Sequence, residues 1–166
     1  MQKKICLLGT FAVGKSSLTE RFVSSIFSER YHTTVGVRIH KRKVELASGA
    51  VDLIIWDLAG EDEFVSLRTA YLRGAGGYIL VADGTRRETL NKALEMQKSA
   101  DRALGGVPFV LMVNKTDLEG DWAIQDDDLD LLTRKGWTVF KTSAKTGEGV
   151  SDGFIRLATA MGRGRG

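Results

Sequence analysis

Residues Gly9 to Ser16 read Gly-Thr-Phe-Ala-Val-Gly-Lys-Ser, and this octapeptide restricts the chain to few folds. It has the pattern G-x-x-x-x-G-K-S, and its flanks are those the pattern needs. The preceding run, Lys4-Ile-Cys-Leu-Leu8, is short and apolar, which predicts a buried strand. After the loop, Leu18, Phe22 and Ile26 recur at the four-residue step of a helix face. A strand that turns through glycines into a helix leaves free backbone N–H groups converging on one spot. With the helix dipole they form an anion site. Gly9 and Gly14 permit the tight turn and the close backbone approach. Lys15 would reach the outer phosphates and the Ser16 hydroxyl would bind Mg²⁺. The candidate phosphate contacts are Gly9, Ala12, Val13, Gly14, Lys15, Ser16 and Ser17. The expected ligand is a nucleotide di- or triphosphate.

A second strand run, Phe109-Val-Leu-Met-Val113, ends in Asn114-Lys115-Thr116-Asp117. The Asp117 carboxylate can accept from the ring N1–H and the 2-amino group of guanine. Adenine has neither donor, so a buried Asp117 would be left unpaired by it and would reject it. Asn114, Lys115 and Leu118 complete this candidate base site. Ser143-Ala144-Lys145 follows one more short run, Trp137-Thr-Val-Phe140, and its N–H groups could donate to the guanine 6-oxygen.

Four further stretches extend these motifs. Thr34-Val-Gly-Val37 resembles Thr-Ile-Gly-Val. Trp56-Asp-Leu-Ala-Gly-Glu-Asp-Glu-Phe64 resembles Trp-Asp-Thr-Ala-Gly-Gln-Glu-Arg-Phe. Tyr71-Leu-Arg-Gly-Ala75 resembles Tyr-Tyr-Arg-Gly-Ala, and Val81-Ala-Asp-Gly-Thr85 resembles Val-Tyr-Asp-Val-Thr. All four are Rab sequences in Rab order. The chain therefore resembles a small GTPase of the Ras superfamily, most closely the Rab branch, from about Lys3 to about Met161.

The resemblance implies a mechanism. Ser16 and the Thr34 hydroxyl would hold Mg²⁺, with Asp57 acting through a water. Gly60, at D-x-x-G spacing from Asp57, would bond the γ-phosphate and lose it on hydrolysis, giving an order–disorder switch. Phe27 would pack on the guanine ring and Tyr31 would lie over the phosphates. Read without the family, Phe27 is equally the last apolar residue of the helix. Lys15, Gly60 and Glu61 are the candidate catalytic groups for slow hydrolysis of GTP to GDP, and Ile39, Trp56 and Tyr71 match the Rab patch read by effector, exchange-factor and activating proteins. The alternative reading is a hydrolysis-poor, constitutively GTP-loaded scaffold, since two positions depart from the family. Glu61 replaces a glutamine. An ionised carboxylate accepts but cannot donate, and it adds charge beside a polyanion. Phe11 replaces a small residue. Its ring either crowds the γ-phosphate and the entry path of a partner's arginine or folds outward. Leu58 replaces the usual threonine, with little expected consequence.

At 166 residues the chain is long enough for one domain with a proper core, ordered over about 3–161 and ending in a Gly/Arg tail, 162–166. No apolar run approaches the ~18 residues of a membrane span. No secretory signal precedes the first strand, the lone Cys6 excludes an internal disulfide, and a reducing, cytoplasmic setting follows. The ending Met161-Gly-Arg-Gly-Arg-Gly166 has no cysteine to prenylate, so no lipid anchor is expected in this chain, and a monomer is. Net charge is +3. No aromatic–basic motif assigns it to nucleic acid. Arg38, His40, Lys41, Arg42 and Lys43 instead cluster on one strand. That strand is expected at the sheet edge, where the charges either block unwanted pairing or dock an acidic partner.

The expected architecture is an α/β P-loop GTPase domain. Strands are expected near 3–9, 37–46, 51–57, 77–83, 108–113 and 137–141. Helices are expected near 15–25, 64–74, 86–104, 125–135 and 150–161. Continuous apolar strands alternating with helices imply a mostly parallel six-stranded sheet with five helices over its two faces. The short Ala47-Ser-Gly-Ala50 link makes the second strand the antiparallel edge. Thr85-Arg-Arg-Glu88 reads as a capping box. Asp126-Asp127-Asp128 reads as an acidic helix start in preference to a metal site.

Overall fold

A computed structural model describes residues 1–23, 29–34, 37–58 and 69–163. The phosphate loop joins β1 (Gln2–Leu8) to α1 (Lys15–Val23), and β2 (Glu29–Thr34), β3 (Val37–Leu46) and β4 (Gly49–Leu58) follow. Next come the short α2 (Thr69–Leu72), β5 (Ala75–Asp83), α3 (Arg87–Leu104) and β6 (Phe109–Asn114). A 3₁₀ turn (Thr116–Asp121), α4 (Asp126–Arg134), β7 (Val139–Thr142) and α5 (Val150–Arg163) complete the order. The sheet runs β2-β3-β4-β1-β5-β6-β7. The β2–β3 and β3–β4 pairs are antiparallel and the other four are parallel, so β3 alone runs against the rest of the sheet.

Alternation along the central strands builds two cores, because successive side chains leave a strand on opposite faces. Cys6 and Leu8 of β1 join Leu80 of β5 and Leu111 of β6 on one face, under Leu90, Ala93, Met96 and Ala100 of α3. Ile5 and Leu7 join Ile79, Val81, Val110 and Met112 on the other, under α1 and α5. Phe22 of α1 stacks on Phe154 of α5 with ring centroids 4.1 Å apart. Burial on both faces explains why β1, β5 and β6 read as unbroken apolar runs.

The sheet has seven strands where six were expected. Glu29-Arg-Tyr-His-Thr-Thr34 lacks apolar alternation, so its sequence does not announce β2, yet β2 pairs with the outer side of β3. The 37–46 strand is therefore not an edge, and its basic residues do not form one open face. His40 is 1% exposed. Arg42 donates to the Phe22 carbonyl and lies over the Phe22 ring. Arg38 pairs with Glu20 at 3.7 Å. Only Lys43 of the five is fully exposed.

The expected capping box at Thr85 is absent. Arg86 occupies the N-cap of α3 without a side-chain cap, because Thr85 Oγ1 donates to Asp83 Oδ1 at 2.7 Å. A reciprocal contact instead opens α4, where the Gln125 N–H donates to the Asp128 carboxylate at 3.3 Å. That helix begins at Asp126, so the three aspartates sit where the dipole favours them. No cluster of metal-ligating side chains occurs among the described residues.

Candidate functional site

The parallel strands end together. Asp83 of β5 registers with Asn114 of β6, and Asn114 with Thr142 of β7. Open α/β sheets bind ligands beyond the carboxyl ends of their strands, and the sequence-predicted residues gather at that end.

Local geometry fixes the loop. Gly14 has φ +104°, and a Cβ there would come within 2.3 Å of Asn114 Nδ2. A Cβ on Gly9 would meet the Val81 carbonyl at 2.8 Å. Neither position accepts a side chain. Lys15, 7% exposed, folds back and donates to the Gly9 and Thr10 carbonyls at 2.7 and 3.2 Å. Asn114 Nδ2 donates to the Val13 carbonyl at 3.0 Å and Lys115 Nζ to the Ala12 carbonyl at 2.9 Å. The Asn-Lys-x-Asp segment thus holds the Gly9–Ser16 loop in place as well as carrying the candidate base residues. Thr142 Oγ1 in turn donates to Asn114 Oδ1 at 3.1 Å, fixing the orientation of the amide.

A cavity of about 400 Å³ is lined by Gly14, Ser17, Asn114, Lys115, Asp117, Leu118, Ala144 and Lys145. Three segments distant in sequence therefore share one cavity. Ser143 Oγ donates to Asp117 Oδ1 at 2.7 Å and accepts from the Thr146 N–H at 3.1 Å. The Ser143 N–H is committed to the Glu148 carbonyl at 3.0 Å, so any carbonyl-binding donors must come from the next two residues. Asp117 is exposed where the guanine argument called for a buried acceptor. In this open cavity a bound base would itself have to cover the carboxylate.

Ser16 and Asp57, 41 residues apart, meet directly: Ser16 Oγ donates to Asp57 Oδ2 at 2.7 Å. Asp57 is fully buried, and its Oδ1 has no hydrogen-bond partner among the described residues. Burial raises its pKa, opposed by the Ser16 hydrogen bond and the nearby Lys15 charge. A buried carboxylate with one oxygen unsatisfied beside a hydroxyl is a donor set that fits a hard divalent cation, which takes oxygen ligands. Phe27, Gly60 and Glu61 lie outside the described residues, as do the side chains of Tyr31 and Thr34.

Phe11 is 53% exposed, so its ring stands largely in solvent. Ile39 and Tyr71 are buried, at 7% and 4% exposed. Tyr71 OH donates to the Trp56 carbonyl at 2.7 Å. Trp56 packs edge-on against Tyr71 and beneath Lys4 Nζ, 3.6 Å from its ring centroid. The three residues do come together, but as a mostly covered cluster in place of the open apolar patch expected.

Sequence reasoning missed Asp83 and Arg86. Asp83 is 1% exposed and pairs with Lys115 at 2.8 Å and with Arg86 at 3.0 Å. The available signal was a carboxylate ending an otherwise apolar strand, in register with Asn114.

Comparison with known proteins agrees with this arrangement. The Ras family profile matches residues 4–163. The chain is 36% identical over 157 residues to Ras-related protein Rab-13 of Bos taurus, an alignment covering 93% of this chain and 77% of that protein. The same identity and shares hold for Ras-related protein Rab-13 of Mesocricetus auratus and of Rattus norvegicus.

Proposed function

This chain belongs to the Ras family, and from that premise we propose that residues 1–166 form one guanine-nucleotide switch that binds GTP and GDP with Mg²⁺ and slowly hydrolyses GTP. The family is one of small GTPases. The observation that carries the finer reading is the shared cavity, where Gly14 and Ser17 of the phosphate loop meet Asp117 and the Ala144–Lys145 pair. Asp117 accepts from the guanine N1–H and 2-amino group. Ala144 and Lys145 supply N–H donors to the 6-oxygen. The loop N–H groups and Lys15 take the phosphates. Ser16 and Thr34 would hold Mg²⁺, with Asp57 acting through a water, and the ion would supply positive charge to offset that of the outer phosphates. Gly60 senses the third phosphate and Glu61 orients the attacking water.

Phosphoryl transfer of this kind depends on positioning and charge more than on covalent chemistry. Single-turnover hydrolysis with phosphate detection tests the reading. Release of about one phosphate per bound GTP supports the switch. GTP that stays intact supports a binding module whose chemistry is altered at Phe11 and Glu61. No described helix is long and apolar enough to cross a membrane, and the chain is proposed to act in the cytoplasm as a monomer.

Two further outcomes are expected. Ser16→Asn replaces the hydroxyl that meets Asp57 and should shift preference toward GDP or the empty state. GTP affinity in Mg²⁺ is the measurement, and an unchanged value removes Ser16 from the metal site. The second concerns partners. Ile39→Asp would bury a carboxylate and so would test folding, not binding. Trp56, half-buried under Lys4, is the better probe. Trp56→Ala should lose proteins captured only by the GTP-analogue-loaded form while keeping nucleotide. Retained capture would place that interface elsewhere.

A further inference from the structure

Every carbonyl of the phosphate loop from Gly9 to Val13 accepts a side-chain hydrogen bond. Lys15 serves Gly9 and Thr10, Lys115 serves Ala12, and Asn114 serves Val13. The remaining one, on Phe11, accepts from Arg86 Nη2 at 2.8 Å. In a planar trans peptide the carbonyl of one residue and the N–H of the next point to opposite sides. Holding the Phe11 carbonyl from outside therefore turns the Ala12 N–H inward. Ala12 has φ 62°, a left-handed conformation that a residue with a Cβ adopts only when its surroundings hold it there.

We propose that Arg86 is a positioning residue for the bound nucleotide: by fixing the Phe11–Ala12 peptide it presents the Ala12 N–H to the phosphates and slows nucleotide release. The inference rests on the nucleotide-binding reading above.

Asp83 anchors the device. Its Oδ2 takes Arg86 Nε at 3.0 Å and Lys115 Nζ at 2.8 Å. Its Oδ1 takes the Thr85 N–H at 2.8 Å and the Thr85 hydroxyl at 2.7 Å. Burial alone would raise this carboxyl, but the Lys115, Thr85 and Arg86 contacts outweigh it and hold the pKa at about 2. Asp83 thus stays ionised across the neutral range, and both cations stay aimed at adjacent loop carbonyls. The same fork holds the backbone of Phe11 while its ring remains exposed.

Helix chemistry gives no reason for an arginine here. Arg86 is the N-cap of α3 and makes no side-chain cap. Ser, Thr, Asp or Asn would satisfy that end, and the dipole disfavours a cation there. Its contacts go to Asp83 and the phosphate loop instead.

The test is the release rate of a fluorescent GDP derivative from the full chain in Mg²⁺. Arg86→Ala should release it about ten- to hundredfold faster, as loss of a charge-assisted hydrogen bond implies. Arg86→Lys should be intermediate, because Arg86 reaches Asp83 and the Phe11 carbonyl with two different nitrogens, Nε and Nη2, and a single ammonium does not reproduce that span. The preference for GTP over ATP should be unchanged in both, since the base site is not touched. Release within about twofold of the parent for both variants overturns the proposal, and so does a lowered melting temperature with no change in release. If the alanine variant does not fold, the lysine variant decides by the same criterion. A parent protein that fails to bind fluorescent GDP at all overturns the nucleotide reading itself.

Discussion

Asp117→Ala should lower GTP affinity by roughly 10²–10⁴-fold and remove most of the preference for guanine over adenine. Two hydrogen bonds to an ionised acceptor are removed, at about 1.5–3 kcal/mol each. Selectivity falls with affinity, because the carboxylate would accept from two donors that adenine lacks, leaving only the Ala144 and Lys145 N–H groups to discriminate at position 6. Local order should survive the change. Asp117 is exposed, and Ser143 Oγ keeps the Thr146 N–H as a partner. The Gly9–Ser17 loop proposed to take the phosphates is not altered, so residual binding of GTP should lie much nearer to that of ATP than in the parent. Affinities for both nucleotides, measured on the parent and the variant, check this. An Asp117→Ala protein that prefers GTP as strongly as the parent would move base recognition elsewhere.

The second large effect concerns hydrolysis. Unaided turnover in such enzymes is on the order of 10⁻⁴ to 10⁻² s⁻¹, and an arginine supplied by a partner adds ~10³–10⁵. That factor is about 4–7 kcal/mol of transition-state stabilisation and needs room beside the γ-phosphate. Phe11 is an exposed ring on the loop proposed to hold the phosphates, its carbonyl tied to Arg86, and on that reading a partner's arginine would have to pass it. We expect slow intrinsic turnover that a partner's arginine raises little. Phe11→Gly should open the approach and restore much of the stimulation. Glu61→Leu should stop intrinsic turnover by removing the group that accepts from water. Single-turnover rates of the three proteins, with and without an activating partner, test this. Undiminished hydrolysis in Glu61→Leu would remove Glu61 from the mechanism.

Much of the fold is written in residues whose burial leaves them one choice. Ile5, Leu7, Ile79 and Val110 cannot be placed anywhere but inside, and the strands they form read directly. Gly9 and Gly14 are legible because a Cβ has no space at either place. The helix start at Asp126 follows from charge and dipole alone. β2 was not legible. Its Glu29–Thr34 sequence carries no apolar period, and its place is set by the open side of β3, a partner remote from any local signal. A second expectation fell with it: the basic cluster placed on an edge strand lies on a strand paired on both sides, and its His40 is buried.

The site divides in the same way. Its motifs are contiguous, so Lys15, Asn114 and Asp117 are found by spacing. Asp83 and Arg86 act through contacts with residues 75 positions away or more locally within a turn, and such contacts exist only after folding. The Thr85 capping box failed for a related reason. Its hydroxyl donates to the buried Asp83 carboxylate, and the N-cap position falls one residue later, on Arg86.

The central claim is that this cavity selects guanine nucleotides. Competition against a fluorescent GDP derivative, with GTP and ATP titrated in parallel in Mg²⁺, measures it directly. GTP should displace the probe at concentrations far below those at which ATP has any effect. Equal displacement by the two nucleotides would contradict the account.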